Sequence, residues 1–188
     1  MPTIWLIFSV VLTSYAKYDC ETEWIAFEPT NSKYKRDCIT SPSIGSKRLA
    51  NFHQAESKCQ EMNAHLVSIH SEEENEFVLK LIGIDGQYHT WIGLHRTEDR
   101  KGWRWTDDTP VDFTKWAPDQ PDDGGTIYTA LFNKEDCGHI YNVVGGRPLR
   151  TDKQWDDALC TWDGIFICKR RMIEMEKNAI PRGAMEKL

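Results

Sequence analysis

The side chains most suited to chemistry are oxygen donors in three short segments of the 188-residue sequence. Gln120-Pro121-Asp122 forms the first segment, Glu135 begins the second, and Asp156 and Asp157 lie in the third. Hard oxygen donors without histidine or cysteine suit calcium, which takes about six to eight of them. One oxygen from each side chain and a backbone carbonyl would supply about six, leaving about two positions for water or ligand hydroxyls. The predicted metal ligands are Gln120, Asp122, Glu135, Asp156 and Asp157.

Two other interpretations of these acidic loops remain open at this point. Acidic loops are usually solvated faces that hold no ligand, and paired carboxylates also cleave glycosides. Nothing marks one carboxyl as a catalytic acid, so an enzyme is not predicted. The six histidines form no HExxH or other paired metal spacing, and no CxxC pair occurs, so the sequence does not predict a zinc site.

The composition is that of one globular domain. Hydrophobic residues make up 40% and charged residues 28%, which argues against a disordered or collagen-like chain. A formal charge of −6 lacks the electrostatic signature of a nucleic-acid-binding protein. The 6 cysteines are too few for a pure disulfide scaffold, and their spacing alone does not choose a pairing. An even number in an exported chain still favours three bridges.

Residues 1–16 have the pattern of a signal peptide. An apolar run from Ile4 to Leu12 precedes Ser14-Tyr15-Ala16, where small residues flank one position as a signal peptidase requires. The run is too short to span a bilayer, which takes about 20 residues. A membrane anchor is the alternative, but the sequence favours a secreted protein with no membrane span.

Two helices that would support the donor segments are predicted from caps and spacing. The first begins after Asn51, with Gln54 in the capping-box position, and the second begins after Ser71, with Glu74 in the same position. The apolar face of the first helix consists of Phe52, Ala55, Cys59 and Met62. Alternating or apolar runs predict strands at 65–69, 91–94, 103–105, 140–144 and 165–168. A long polar loop over 106–126 carries the first donor segment.

Taken in chain order, these features resemble the long form of the C-type lectin-like domain. The matching elements are Cys20 with Trp24 and Cys38, the helix over 51–59, Leu66-Val67-Ser68-Ile69, Trp91-Ile92-Gly93-Leu94, Gln120-Pro121-Asp122, Glu135-Asp136-Cys137, Trp155-Asp156-Asp157 and Cys168. The match covers about residues 20–170 and divides the chain into a signal peptide (1–16), the domain (17–170) and a C-terminal tail (171–188).

The resemblance implies an α+β fold in which two helices pack on small antiparallel sheets beside a long calcium-binding loop region. It implies three disulfides, Cys20–Cys38, Cys59–Cys168 and Cys137–Cys160. It also implies a cis peptide bond before Pro121. In this family, two adjacent sugar hydroxyls complete the calcium coordination and hydrogen-bond to the side chains that hold the ion.

The Gln-Pro-Asp order resembles the galactose-type members, whereas Glu-Pro-Asn marks the mannose-type ones. Two departures concern the sugar. Asp156 stands where the family pattern has asparagine, and Asp123-Gly124-Gly125 stands where a stacking tryptophan is usual. Tyr128 is the candidate for stacking on the sugar. The residues predicted to bind the sugar are Gln120, Asp122, Glu135, Asp156 and Tyr128.

Asp123 and Asp136 match two positions of an auxiliary calcium site, although the partners expected near 97–101 align poorly. The sequence therefore predicts a secreted, calcium-dependent lectin for galactose or N-acetylgalactosamine, with glycans or glycoproteins as partners. The alternative is a lectin-like domain that binds a protein, lipid or surface ligand, with calcium only ordering the loops.

Overall fold

A computed structural model describes residues 24–37, 39–40, 47–82, 89–124, 134–140, 153–173 and 176–177. The predicted signal peptide, the Cys20–Cys38 bridge and Tyr128 lie outside these ranges. Within them, no helix is both long and apolar enough to cross a bilayer.

Two α-helices form where the caps predict them, α1 at Phe52–Glu61 and α2 at Glu72–Ile82. The capping box of α1 is complete, because the Gln54 N–H donates to Asn51 Oδ1 and the Asn51 N–H donates to Gln54 Oε1. Ser71 caps α2 by accepting the Glu74 N–H at 3.1 Å. The carboxylate of Glu74, however, is fully buried instead of closing a capping box.

The strands form one large sheet and one separate pair. Their bounds are β1 Ile25–Phe27, β2 Ser32–Asp37, β3 Ile39–Thr40, β4 Lys47–Arg48, β5 His65–Leu66, β6 Thr90–Arg96, β7 Trp103–Trp105, β8 Glu135–Ile140, β9 Trp155–Leu159 and β10 Ile165–Arg171. The large sheet has eight strands with the path β1-β2-β10-β6-β8-β9, while β5 pairs with β10 and β7 with β6. Strands β3 and β4 pair with each other.

This sheet corrects the prediction of small antiparallel sheets. Strand β10 lies between β2 and β6 and runs parallel to β6, so the eight strands form a single mixed sheet. The strand predicted over 65–69 is only two residues long, and β9 was not predicted as a strand. Both differences arise because long-range pairing, rather than the local pattern of side chains, determines these edges.

The core packs on both faces of the large sheet. One cluster groups α2 residues with Trp105 and Trp155, and the other groups α1 residues with Trp91. The disulfide Cys59–Cys168 joins α1 to β10, and Cys137–Cys160 joins β8 to the residue after β9. Both bridges agree with the pairing that the resemblance implies.

The fold brings the donor segments together by pairing β8 with β9 and by docking the long loop against β9. Strands β8 and β9 are antiparallel, with Gly138 opposite Asp157. The loop is attached by two backbone hydrogen bonds of 2.8 Å, from the Ala117 N–H to the Trp155 carbonyl and from the Trp155 N–H to the Lys115 carbonyl. The segment around Gln120 is therefore held beside the start of β9.

Candidate metal centre

The loop that carries Gln120 and Asp122 turns sharply at residues in the left-handed backbone region. Asp119, Asp123 and Gly124 have φ values of 67°, 56° and 81°, and the Gln120–Pro121 peptide bond is cis, as the resemblance implies. The Asp122 N–H donates to Gln120 Oε1 at 2.9 Å. Aspartate and glycine tolerate positive φ better than most residues, which is consistent with their use in this turn.

The carboxylate of Asp157 on β9 holds the loop through two hydrogen bonds. Its Oδ1 accepts the Asp122 N–H and its Oδ2 accepts the Asp123 N–H, both at 3.0 Å. Only 3% of Asp157 is exposed. A buried carboxylate that binds two backbone N–H groups holds the loop and the strand in one arrangement.

Three of the predicted ligands form a cluster. One carboxylate oxygen from each of Asp122, Glu135 and Asp157 lies within 4.8 Å of the other two. Glu135 is buried at the start of β8, next to an irregularity in the pairing with β9. Asp156 is not part of this group; its Oδ2 lies 3.8 Å from Nε2 of the buried His139. Gln120 lies next to this group, because its Oε1 accepts the Asp122 N–H.

Burial and the neighbouring negative charges make Glu135, Asp156 and Asp157 harder to ionise. Burial and the neighbouring negative charges, that of Asp157 first, raise the pKa of Glu135 to about 7. Burial and the charges of Asp157 and Asp122 raise the pKa of Asp156 to about 6. Burial also raises the pKa of Asp157, although backbone N–H donors oppose the shift. A bound divalent cation would relieve this repulsion.

Comparison with known proteins identifies the family. The sequence profile of the family described as "Lectin C-type domain" matches residues 48–170, which is more than half of the chain. The chain belongs to the C-type lectin domain family. The family and its fold are those of lectins, which recognise carbohydrates, so the lectin prediction agrees with the family.

Two relatives and one solved structure illustrate the match. A perlucin-like protein of Mytilus galloprovincialis is 30% identical over 169 residues, covering 86% of this chain and 92% of that protein. An alpha-N-acetylgalactosamine-specific lectin of Patiria pectinifera is 34% identical over 125 residues, covering 63% of this chain and 67% of that lectin. The carbohydrate-recognition domain of the mouse scavenger receptor C-type lectin has a TM-score of 0.62 and 28% identity, covering 82% of this chain and 100% of that domain.

The donor set of this lectin domain fits calcium. The oxygens of Asp122, Glu135 and Asp157 converge, all three side chains are carboxylates, and no histidine or cysteine belongs to the described group. Calcium prefers such oxygen ligands, and the repulsion among them favours a positive charge at their centre. The side chains expected to hold the ion are Gln120, Asp122, Glu135, Asp156 and Asp157.

The two carboxylates predicted to bind an auxiliary ion are paired with cationic side chains instead. Asp123 and Asp136 both accept hydrogen bonds from the guanidinium group of Arg100, and Asp123 also pairs with Lys134 at 3.1 Å. Burial alone would raise the pKa of Asp123, but the hydrogen bonds from Lys134 and the Glu135 N–H, with the charge of Arg100, lower it overall.

Sequence reasoning missed Arg100 and Lys134. The sequence held one indication of Arg100. It lies in the segment 97–101, which matches the auxiliary calcium site poorly. Because Arg100 is 23 and 36 residues away from its partners Asp123 and Asp136, no local spacing pattern could have predicted these contacts.

Proposed function

We propose that this chain is a secreted, calcium-dependent lectin that binds galactose or N-acetylgalactosamine. The observation that carries the proposal is the convergence of carboxylate oxygens from Asp122, Glu135 and Asp157 within 4.8 Å. These residues come from a loop and two neighbouring strands, and oxygen donors gathered in this way are typical of calcium ligation. The specificity of the lectin from Patiria pectinifera supports the same sugar class.

Binding would combine ion coordination with hydrogen bonding. Bound calcium would supply a positive charge with open positions for two adjacent sugar hydroxyls. The carboxylates of Asp122 and Glu135 would accept hydrogen bonds from these hydroxyls, and the amide of Gln120 would donate one. Tyr128 remains the proposed stacking partner for the apolar face of the sugar. The Asp122 and Asp123 N–H groups donate to Asp157, and these hydrogen bonds hold Asp122 in place before the sugar arrives, which lowers the entropy cost of binding.

The order of the amide and carboxylate sets the sugar class in this proposal. An amide at Gln120 can donate a hydrogen bond, whereas the carboxylate at Asp122 can only accept one. Exchanging the two chemical types would exchange the donor and acceptor sides of the site. The preferred pair of hydroxyls, and therefore the preferred sugar, would change with it.

One observation favours the alternative function, a domain that binds a protein, lipid or surface ligand with calcium only ordering the loops. Asp156 stands beside the carboxylate cluster with its Oδ2 3.8 Å from His139 Nε2. As a carboxylate it offers no N–H to a sugar hydroxyl. The site therefore has one hydrogen-bond donor fewer than the family pattern.

The first prediction concerns retention on immobilised galactose or N-acetylgalactosamine. The purified protein should be retained in millimolar calcium and released by excess chelator, because the sugar hydroxyls would bind the ion directly. Retention that persists in excess chelator would contradict the proposal. Absence of binding across a broad glycan array, with calcium still raising the unfolding temperature, would favour the alternative function.

The second prediction concerns sugar selectivity. The double substitution Q120E and D122N should shift binding from galactose toward mannose on the same array, because it reverses the donor and acceptor positions. D108N is a matched control, since it converts an exposed carboxylate outside the site to an amide. An unchanged sugar profile in the double variant would show that this tripeptide does not select the sugar.

A further inference from the structure

Arg100 occupies a rigid turn between β6 and β7. Its own backbone has a φ of 56°, and its N–H donates to the Thr97 carbonyl at 2.8 Å. The Thr97 N–H donates to the Gly102 carbonyl at 3.0 Å, and the Gly102 N–H donates to Thr97 Oγ1 at 3.1 Å. These bonds close the turn on itself and fix the point from which the arginine side chain extends.

The guanidinium group bridges the long loop and strand β8. Its Nη2 donates to Asp123 Oδ1 in the loop at 2.9 Å, and its Nη1 donates to Asp136 Oδ1 in β8. Lys134 Nζ lies 3.1 Å from Asp123 Oδ2. Two carboxylates therefore face two cations, and the local charge is already balanced.

This arrangement does not fit a second calcium ion. Calcium at the auxiliary position would need carboxylate oxygens of Asp123 and Asp136, and both carboxylates already accept hydrogen bonds from Arg100. A positive guanidinium next to a divalent cation would also add repulsion. The described contacts thus assign to an arginine the position that the resemblance gives to an ion.

Asp123 transmits this contact to the proposed calcium ligands. The oxygen Oδ1 that receives Arg100 also accepts the Glu135 N–H at 3.0 Å. The backbone N–H of Asp123 donates to Asp157 Oδ2 at 3.0 Å. Arg100 is therefore connected through Asp123 to two residues of the carboxylate cluster, Glu135 and Asp157.

We propose that Arg100 is a positioning residue for the calcium site, a built-in cation that replaces the second ion of the loop region. The inference rests on the proposed function, since it concerns the same calcium site. The protein then binds one calcium ion per chain in this region. Losing the guanidinium misplaces Glu135 and Asp157 through Asp123 and weakens binding of that ion.

The test is a calcium titration of the mature protein by isothermal calorimetry, using R100Q and a matched control, K101Q. The neighbouring Lys101 is 84% exposed and its described ion pair is with Asp99 at 3.9 Å, so K101Q removes the same charge without touching the site. Wild type and K101Q should bind one equivalent with equal affinity. R100Q should bind about tenfold more weakly, since supporting residues around metal ligands typically contribute about 10–100-fold in affinity.

Two further variants separate positioning from a general loss of folding. R100K keeps the charge but cannot bridge both carboxylates in the manner of a planar fork, so its affinity should lie between wild type and R100Q. D123N should weaken calcium binding as R100Q does, and the double variant R100Q/D123N should lose no more than either single variant. Circular dichroism and the unfolding temperature in chelator confirm that the compared variants are folded.

The possible failures are distinguishable. If the wild type binds no calcium, the proposed function fails. If wild type binds calcium but R100Q equals K101Q in affinity, the positioning role alone is wrong. If wild type and K101Q each bind two equivalents in this region, the replacement of the second ion by Arg100 is wrong.

Discussion

At the scale of single residues, the ionisation of Glu135 governs the candidate site. Its ordinary pKa of 4.5 rises to about 7 because the side chain is buried and faces Asp157, Asp122 and Asp156. In the calcium-free protein, the protonated form of Glu135 stabilises the fold. This contribution is complete below the unfolded-state pKa and is lost as the pH rises through about 7.

The third prediction follows from this shift and from that of Asp156, whose pKa is raised to about 6. Calcium requires ionised ligands, so its affinity should fall as the pH decreases through 7 and 6. We expect the calcium dissociation constant to be more than about tenfold larger at pH 5.5 than at pH 8, since each protonation costs about tenfold per pH unit below the pKa. Calorimetry across this pH range measures it.

The substitution E135Q removes the ionisable carboxyl group and so tests the same role of Glu135. It should abolish calcium binding and raise the unfolding temperature of the calcium-free protein at pH 8, where the lost carboxylate is charged, but not at pH 5. E98Q is the control, because Glu98 is an exposed glutamate outside the site. A calcium affinity that does not change with pH, or an E135Q variant that still binds calcium normally, would contradict this account.

Residue types and the family resemblance together predicted part of the candidate site. The residue types made a calcium site possible, since hard oxygen donors suit that ion, and the resemblance favoured it over a solvated acidic face. The oxygens of Asp122, Glu135 and Asp157 do converge, whereas Asp156 is not part of the group. The pairing of Asp123 and Asp136 with Arg100 was not predicted. An ion pair between a turn, a loop and a strand depends on how the elements pack, which the sequence does not encode locally.

At the scale of elements, the helices were predictable and part of the sheet was not. Caps and spacing fix α1 and α2 because both act within one or two helical turns. Strand β9 contains two adjacent aspartates, and β2 alternates charged residues with Tyr34, so neither shows a simple apolar alternation. Pairing with β8 and β10 establishes these strands instead.

Glu74 illustrates how packing overrides a local pattern. Its position in the sequence is typical of a capping box, but its Oε1 accepts the Tyr34 hydroxyl at 2.6 Å and the Lys169 ammonium at 2.7 Å. Its Oε2 accepts the His70 N–H at 2.8 Å. The buried carboxylate thus joins α2 to β2 and β10, and a carboxylate satisfied in this way is stable inside a core.

At the scale of the whole molecule, part of the net negative charge belongs to the proposed calcium site. The formal charge of −6 includes the carboxylates of Asp122, Glu135, Asp156 and Asp157, which an ion would neutralise in part. Calcium at a hundredfold excess over its dissociation constant would stabilise the fold by about 2.7 kcal/mol. The same site would then couple ligand binding to the stability of the domain.

The two described disulfides contribute to this coupling differently. Cys59–Cys168 closes a separation of 109 residues and joins α1 to β10, which β6 separates from β8 in the sheet. Cys137–Cys160 closes a separation of 23 residues and ties together β8 and β9, which carry Glu135 and Asp157. Because it closes the longer loop, the first bridge should contribute more to the free energy of unfolding. Because it joins the strands that carry Glu135 and Asp157, the second should contribute more to the geometry of the site.

The fourth prediction compares C59A/C168A with C137A/C160A. The first pair should cost more free energy of unfolding, because the loop-closure contribution is about 4.7 kcal/mol for a 100-residue loop and about 3 kcal/mol for a 15-residue loop. The second pair should weaken calcium binding more, because it frees the ends of the two strands that position the ligands. Chemical denaturation and calorimetry measure the two effects, and each variant is the control for the other. Equal loss of calcium affinity in both variants would mean that the site depends on overall stability and not on the local clamp between β8 and β9.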